Sequence, residues 1–107
     1  MIVEERIYTL HVGKTAELVK LYETEGIPIQ SRILGNFLGF FSTEIGPLNQ
    51  VIHLWGYDNF EERTRRRAEL LAHPDWQNFL KKIRPLIQSQ ENKILNPAPF
   101  SPIGGGK

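Results

Sequence analysis

The sequence predicts an α+β fold, in which an antiparallel sheet carries helices on one of its faces. Segments of alternating β-branched and aromatic residues are typical of strands. Between them, apolar residues recur at the spacing of amphipathic helices. A loop over 45–49 is short enough to join two strands directly as a hairpin, which requires them to be antiparallel. These three observations give the order β-α-β-β-α-β, with the second helix split.

The first strand is predicted over Ile2–Leu10, where the pattern alternates between two faces. One face carries Val3, Ile7 and Thr9, and the other carries Glu4, Arg6, Tyr8 and Leu10. From Thr15 the pattern becomes helical and continues to about Leu34. Gly26 and Pro28 are expected to interrupt or kink this helix.

The middle of the chain predicts a hairpin of Phe37–Glu44 with Gln50–Tyr57, and Gly39 indicates a bulge in its first strand. The second of these strands has two unlike faces. One face carries Ile52, Leu54 and Gly56, and the other carries Val51, His53, Trp55 and Tyr57. The second face is large, aromatic and able to form hydrogen bonds.

The last third of the chain predicts two helical segments and a final strand. Asp58 is expected to cap the first helix, with Glu61 as its reciprocal partner. His73-Pro74 starts the second, and Pro85 closes it. The final strand, over 86–95, is expected at an edge or against another chain. The whole order is the ferredoxin-like arrangement, with one domain over 1–103 and a flexible glycine-rich tail over 104–107.

Composition excludes several classes of protein. The chain has 107 residues and no cysteine, so thiolate metal sites, disulfides and cysteine nucleophiles are excluded. A formal charge of +1 does not indicate a nucleic-acid partner. No apolar run approaches the ~20 residues that span a membrane, and the N-terminus lacks a targeting pattern. We expect a cytoplasmic protein. His11, His53 and His73 lack metal-ligand spacing, so no metal site is predicted.

The aromatic face is expected on the open side of the sheet, because Ile52 and Leu54 are wholly apolar and suit the side that the helices cover. Arg6 and Tyr8 would share the open face with the aromatic residues of the third strand. Such a face needs a cover. A second copy could pack against it as a homodimer, or the face could line a pocket for a small molecule, and the two solutions are compatible.

His53 is the leading catalytic candidate, as a general acid or base or as a haem ligand. Arg6 would stabilise developing negative charge, and Tyr8, Trp55 and Tyr57 would position an apolar or aromatic ligand. The alternative is that these residues only fill a dimer core. In that case the charge of Arg6 is expected to be satisfied across the barrel. The candidate partners are Glu44 and Glu91.

The run Arg63-Thr64-Arg65-Arg66-Arg67 is basic, but neighbouring glutamates dilute it and no aromatic residues alternate with it. We expect a solvated helix face with some salt bridges. Arg63 and Arg67 lie one helical turn apart, so a secondary hypothesis is that both reach the carboxylates of a partner.

Several segments together resemble the NIPSNAP family over almost the whole chain. The most specific are Gly46-Pro47-Leu48-Asn49, followed by His53-Leu54-Trp55 and Tyr57. Five further segments agree with the resemblance: Glu5-Arg6 with Tyr8, Glu62-Arg63 with Arg67, Pro74-Asp75-Trp76, Glu91-Asn92-Lys93-Ile94-Leu95 and Pro99-Phe100-Ser101-Pro102. The resemblance implies a dimeric α+β barrel, a superfamily that includes cofactor-free monooxygenases, haem-degrading enzymes and isomerases.

The resemblance transfers no catalytic residue, because the family has no agreed reaction. Its animal members are mitochondrial, usually have two related domains and are linked to vesicle transport and mitophagy. A single domain without a transit peptide is expected to be a bacterial-type member. The function expected is a homodimeric domain that binds a small apolar or aromatic molecule, with cofactor-free oxygenation or isomerisation as suitable reactions. No cofactor is predicted, although haem remains open. The alternative is a non-catalytic structural or protein-interaction domain.

Overall fold

The computed structural model describes residues 1–105 and confirms the α+β fold with its ferredoxin-like order. The strands are β1 (Ile2–Leu10), β2 (Asn36–Ser42), β3 (Gln50–Tyr57) and β4 (Ile87–Leu95). The helices are α1 (Thr15–Leu21), α2 (Ile27–Leu34), α3 (Phe60–Ala72) and α4 (Pro74–Ile83). A π-helical turn over Tyr22–Gly26 joins α1 to α2, and a 3₁₀ turn over Arg84–Leu86 joins α4 to β4.

The sheet is antiparallel with strand order β2-β3-β1-β4, so β1 and β3 lie at its centre and β4 at an edge, as predicted. Arg6 pairs with His53 across the two central strands. Directly opposed residues share a face of an antiparallel sheet. Glu4, Arg6 and Tyr8 of β1 therefore lie on the same face as His53 and Trp55 of β3.

Most local predictions are confirmed. β1 and β3 have the predicted bounds, and the register shifts between Phe37 and Gly39 where a bulge was expected. The cap of α3 was predicted one residue too early. Asn59, rather than Asp58, accepts a hydrogen bond from the Glu62 amide at 2.8 Å, and the Glu62 carboxylate accepts one from the Asp58 amide at 2.7 Å. Asn59 and Glu62 thus form a variant of the capping box, in which the return hydrogen bond comes from the Asp58 amide and the partner is Glu62 rather than the predicted Glu61.

Gly26 marks the point where the first helical segment changes its winding. A Cβ atom at this position would lie 2.6 Å from Cζ of Phe79 on α4. Glycine therefore lets the π-helical turn approach α4 closely. The same turn places Tyr22 over the sheet, where its ring packs edge-on against Phe79 and 5.5 Å from the His53 ring.

The core lies between the sheet and the helices, and it contains the aromatic face that was predicted to be open. Val51, His53 and Trp55 are all 0% exposed. The assignment of faces was therefore wrong. Ile52 and Leu54 lie on the open side and are only half-buried. The larger space is beneath the helices, so the largest side chains of β3 fill it, and the Trp55 indole donates a hydrogen bond to His53 there.

The open side of the sheet carries an apolar strip at its centre. Ile7, Ile52 and Leu54 are half-buried, and Phe41 on β2 is exposed. The segment after β4 lies beside one end of this face, where Val3, Leu54, Leu95 and Ile103 line a shallow groove with Asn96, Pro97 and Ser101. Of the predicted flexible tail, Gly104 is in a turn and Gly105 donates a backbone hydrogen bond to Ser101. Residues 106 and 107 lie outside the described residues.

Among residues 1–105, no helix combines the length and the apolar character that crossing a membrane requires.

Candidate functional site

A cavity of about 360 Å³ lies on the helix side of the sheet, between β1 and β4 below and α3 and α4 above. We call it the inner cavity. Its apolar wall consists of Leu71, Trp76, Leu80, Ile83 and Ile87. Its polar lining consists of Arg6, Tyr8, Arg67, Arg84, Gln88, Ser89 and Gln90. The volume is within the range of small-molecule pockets, which measure about 300–1,000 Å³, and the lining is more polar than is usual for them.

Glu4 organises the charged groups beside the cavity. It is 0% exposed, and its carboxylate accepts four hydrogen bonds. Arg6 Nη1 donates at 2.9 Å, Arg63 Nη2 at 2.9 Å and Nε at 3.2 Å, and Asn92 Nδ2 at 3.1 Å. Although burial alone would raise the pKa of Glu4, these cationic neighbours lower it below its usual value. Glu4 is therefore ionised and its acceptor sites are largely used.

Arg6 connects the Glu4 cluster to the cavity. Its Nε donates to the Tyr8 hydroxyl at 3.2 Å. Burial opposes its charge, but Tyr8 and Glu4 outweigh burial and raise the pKa of Arg6. Arg6 and Tyr8 were both predicted as site residues, and both line the inner cavity. The alternative partners proposed for Arg6, Glu44 and Glu91, were wrong, because its carboxylate partner is Glu4 on the same strand.

Arg67 of α3 lines the cavity together with Arg6 and lies close enough for their two charges to interact. Its Nη1 is buried and has no hydrogen-bond partner within residues 1–105. Burial, followed by the charge of Arg6, lowers the pKa of Arg67 below its usual value. Two guanidinium groups therefore lie near one end of the cavity, and only Arg6 is paired with a carboxylate in the described part of the chain.

The basic run on α3 is less exposed than predicted. Arg63 binds Glu4, Arg66 Nη1 donates to the Ile33 carbonyl at 3.0 Å, and Arg67 lines the cavity. Thr64 and Arg65 point to solvent. The predicted solvated face is thus limited to part of the run, and the carboxylate that Arg63 reaches belongs to its own chain.

His53 is placed behind Tyr8. Its Nδ1 accepts a hydrogen bond from the Trp55 indole at 2.9 Å, and its Nε2 is buried without a partner in residues 1–105. Its ring stacks on Phe40 and meets Tyr8 edge-on at 5.1 Å. A neutral imidazole that accepts at Nδ1 carries its proton on Nε2. His53 does not line the inner cavity, so its contact with that space passes through Tyr8.

We expect His53 to make the protein sensitive to mild acid. Burial, followed by the charges of Arg6 and Arg67, lowers the pKa of His53 from 6.5 to about 3. Between pH 7 and pH 5 a proton therefore binds the unfolded chain but not the folded one. The free energy of unfolding should fall by about 2 kcal/mol over this interval, as measured by urea unfolding at both pH values.

The matched variant is His53→Gln, which keeps an acceptor for the Trp55 indole and removes the titrating group. Between pH 7 and pH 5, the decrease in its free energy of unfolding should be smaller than that of the wild type by about 2 kcal/mol. An equal decrease in the two proteins would show that His53 is not the group responsible.

The other predicted site residues do not converge on the inner cavity. Trp55 is 0% exposed and packs on Phe37, with ring centroids 4.8 Å apart. Tyr57 lines a separate cavity of about 250 Å³ next to Arg66, and burial raises the pKa of Tyr57 to about 12. Trp55 and Tyr57 therefore support the sheet beside the site, at a distance from the pair formed by Arg6 and Tyr8.

Sequence reasoning missed Glu4 and the inward orientation of Arg67. The signal for Glu4 was available, since it alternates onto the same face of β1 as Arg6. The signal for Arg67 was its spacing of one helical turn from Arg63. Within residues 1–105 no cluster of histidine, aspartate and glutamate side chains is suited to hold a metal ion.

The arrangement has two chemical capacities. The apolar wall of α4 can remove an aromatic or aliphatic body from water. The guanidinium groups of Arg6 and Arg67 can stabilise negative charge on a bound molecule, more strongly than in water because the site is partly desolvated.

The family model described as NIPSNAP matches residues 3–102. Protein NipSnap homolog 3B from Mus musculus is 33% identical over 104 residues, which cover 94% of this chain and 41% of the mouse protein. The NipSnap homolog of Dictyostelium discoideum is 40% identical over 60 residues, which cover 56% of this chain and 27% of that protein. The chain therefore spans less than half the length of these curated relatives.

Solved structures agree with the sequence matches. An uncharacterised NIPSNAP-like domain protein from Burkholderia xenovorans is 55% identical, with a TM-score of 0.92 over 94% of this chain and 88% of that one. An antibiotic biosynthesis monooxygenase is only 10% identical, with a TM-score of 0.65 over 92% of this chain and 99% of that one, so that likeness concerns the fold alone. Since the family model extends from residue 3 to residue 102, the chain belongs to the NIPSNAP family.

Proposed function

We propose that this NIPSNAP domain binds a small apolar or aromatic molecule in the inner cavity. The observation that carries the proposal is the apolar wall of Trp76, Leu80 and Ile83, which faces the polar pair Arg6 and Tyr8 across a space of about 360 Å³. The cavity is lined by a single chain, between its own sheet and its own helices. The proposed ligand site therefore lies on the opposite side of the sheet from the open face.

Within this proposal Arg6 and Tyr8 contact the ligand, and His53 and Trp55 act as positioning residues. The His53 ring meets Tyr8 edge-on, and Trp55 orients His53 through the indole hydrogen bond. If the bound molecule is converted, Arg6 stabilises negative charge that develops on it. A cofactor-free oxygenation or an isomerisation through an anionic intermediate would use this group. Direct proton exchange with His53 would require Tyr8 to move.

We also propose a homodimer formed through the open side of the sheet. Ile7, Ile52 and Leu54 form an apolar strip on that side, and the exposed Phe41 extends it. The helices of this chain cover only the opposite side. A second copy related by a two-fold axis would present the same strip and bury both.

The binding proposal is tested by calorimetric titration with uncharged 2-naphthamide. The wild-type domain should bind it, and Leu80→Trp should weaken binding at least about tenfold, because the larger ring occupies the cavity. Val19→Trp is the matched control, since it adds the same ring to an exposed position of α1 outside the inner cavity. Its affinity should equal that of the wild type.

The competing function is a non-catalytic domain for structure or protein interaction, in which the cavity has no ligand. Equal binding of 2-naphthamide by the wild type and Leu80→Trp would contradict the inner-cavity proposal and favour this alternative.

A further inference from the structure

We infer that the natural ligand of the inner cavity carries a carboxylate beside its apolar body, and that Arg67 binds this carboxylate together with Arg6. The inference rests on the proposed function and adds to it the chemical class of the ligand. Three observations support it: the excess of positive charge beside the cavity, the hydrogen bonds that already occupy the Glu4 carboxylate, and the position of the apolar wall.

The charges beside the cavity do not balance. Arg6, Arg63 and Arg67 surround Glu4, which gives three guanidinium groups and one carboxylate. Glu4 and Arg6 are buried, and Arg63 is largely so. Cations held partly out of water without a counter-charge are costly. A bound anion would compensate this excess.

Glu4 is close enough for its charge to favour the charged form of Arg67, but the two side chains share no hydrogen bond. Oε2 of Glu4 already accepts from Arg6, Arg63 and Asn92, and its Oε1 accepts from Arg63. These four hydrogen bonds use most of the acceptor sites of the carboxylate. Arg67 keeps a buried Nη1 without a partner in residues 1–105, although it lines the cavity. The missing acceptor is therefore expected to come from the ligand.

The pairing of the guanidinium groups and the apolar wall favour a carboxylate. Arg6 and Arg63 each have Glu4 as a carboxylate partner, whereas Arg67 has none in residues 1–105, so one planar carboxylate would supply the missing acceptor. The opposite wall of Trp76, Leu80 and Ile83 is apolar, so an aromatic or aliphatic acid would place each of its ends against matching groups.

The test compares 2-naphthoate with 2-naphthamide, which have nearly the same shape and differ in charge, by calorimetry at pH 7. The wild type should bind the naphthoate at least about tenfold more tightly. Arg67→Gln should abolish most of this preference, so that the ratio of its affinities for the two compounds approaches one, and its circular dichroism spectrum shows whether the variant is folded. Arg65→Gln is the matched control, because Arg65 lies on the exposed side of the same helix.

Equal affinities of the wild type for the acid and the amide would overturn the inference and leave the proposed function standing. A preference for the acid that persists in Arg67→Gln would also overturn it. A third arm uses 2-naphthyl phosphate, and binding of this compound tenfold more tightly than 2-naphthoate would overturn the assignment to a carboxylate. Failure of all three compounds to bind would overturn both the inference and the proposed function.

Discussion

Replacing Glu4 by glutamine should destabilise the domain by about 3–5 kcal/mol, because it removes the carboxylate from a buried ion network and leaves its cations uncompensated. The Glu4 carboxylate is the common acceptor for Arg6, Arg63 and Asn92. Glutamine keeps the size of the side chain, so the loss measures charge and hydrogen bonding rather than packing.

Urea unfolding at pH 7 measures this loss. Glu69→Gln is the matched control, because it makes the same change at an exposed position of α3, away from the Glu4 network and from the open side of the sheet. That variant should differ from the wild type by less than about 0.5 kcal/mol. A Glu4→Gln domain as stable as the control would show that the network contributes little to folding.

Ile52→Lys should convert the proposed dimer to a monomer. Ile52 pairs with Ile7 and Phe41 across the open side of the sheet. In a two-fold interface each copy contributes the same substitution, so two unpaired ammonium groups would be buried. The wild type should sediment at twice its chain mass of 12.3 kDa at micromolar concentration, and the variant at the single mass.

Val12→Lys is the control for the dimer, because Val12 is apolar and 86% exposed but lies in the loop after β1. This variant should remain dimeric. A wild-type protein that sediments as a monomer would contradict the proposed dimer, and a dimeric Ile52→Lys would place the interface elsewhere on the surface.

The strands and helices could be predicted from the sequence because their signals are local. Alternation over Ile2–Leu10 and Gln50–Tyr57 identified β1 and β3 with their bounds, and Gly39 indicated the bulge in β2. The cap of α3 was displaced by one residue because Asp58 and Asn59 are both good capping residues. When two neighbouring residues have similar capping propensities, only the backbone geometry before the helix decides which of them is the cap.

The covered side of the sheet could not be predicted, because it depends on packing between distant segments. Alternation showed that His53 and Trp55 share a face but not which face the helices cover. Their polar atoms suggested exposure, whereas in the structure the Trp55 indole is satisfied by His53 itself. Tyr22 and Phe79, which come from different helices, complete the same aromatic core.

The charged part of the site could be predicted only in fragments. Arg6 and Tyr8 were identified from their shared face, and both line the inner cavity. The link from Glu4 to Arg63 joins residues 59 positions apart. Pairing over such a distance leaves no mark in a single sequence, so the acceptor of Arg63 and the position of Arg67 needed the folded chain.

The most direct test of the proposed site is a map of indole and methyl chemical shifts in ¹H–¹⁵N and ¹H–¹³C NMR spectra during titration with 2-naphthoate. Binding in the inner cavity predicts that the Trp76 indole and the methyl groups of Leu80 and Ile83 shift first, while the methyl groups of Ile7 and Ile52 on the open side stay in place. Shifts confined to the methyl groups of Ile7 and Ile52, with the Trp76 indole unmoved, would contradict a site beneath the helices.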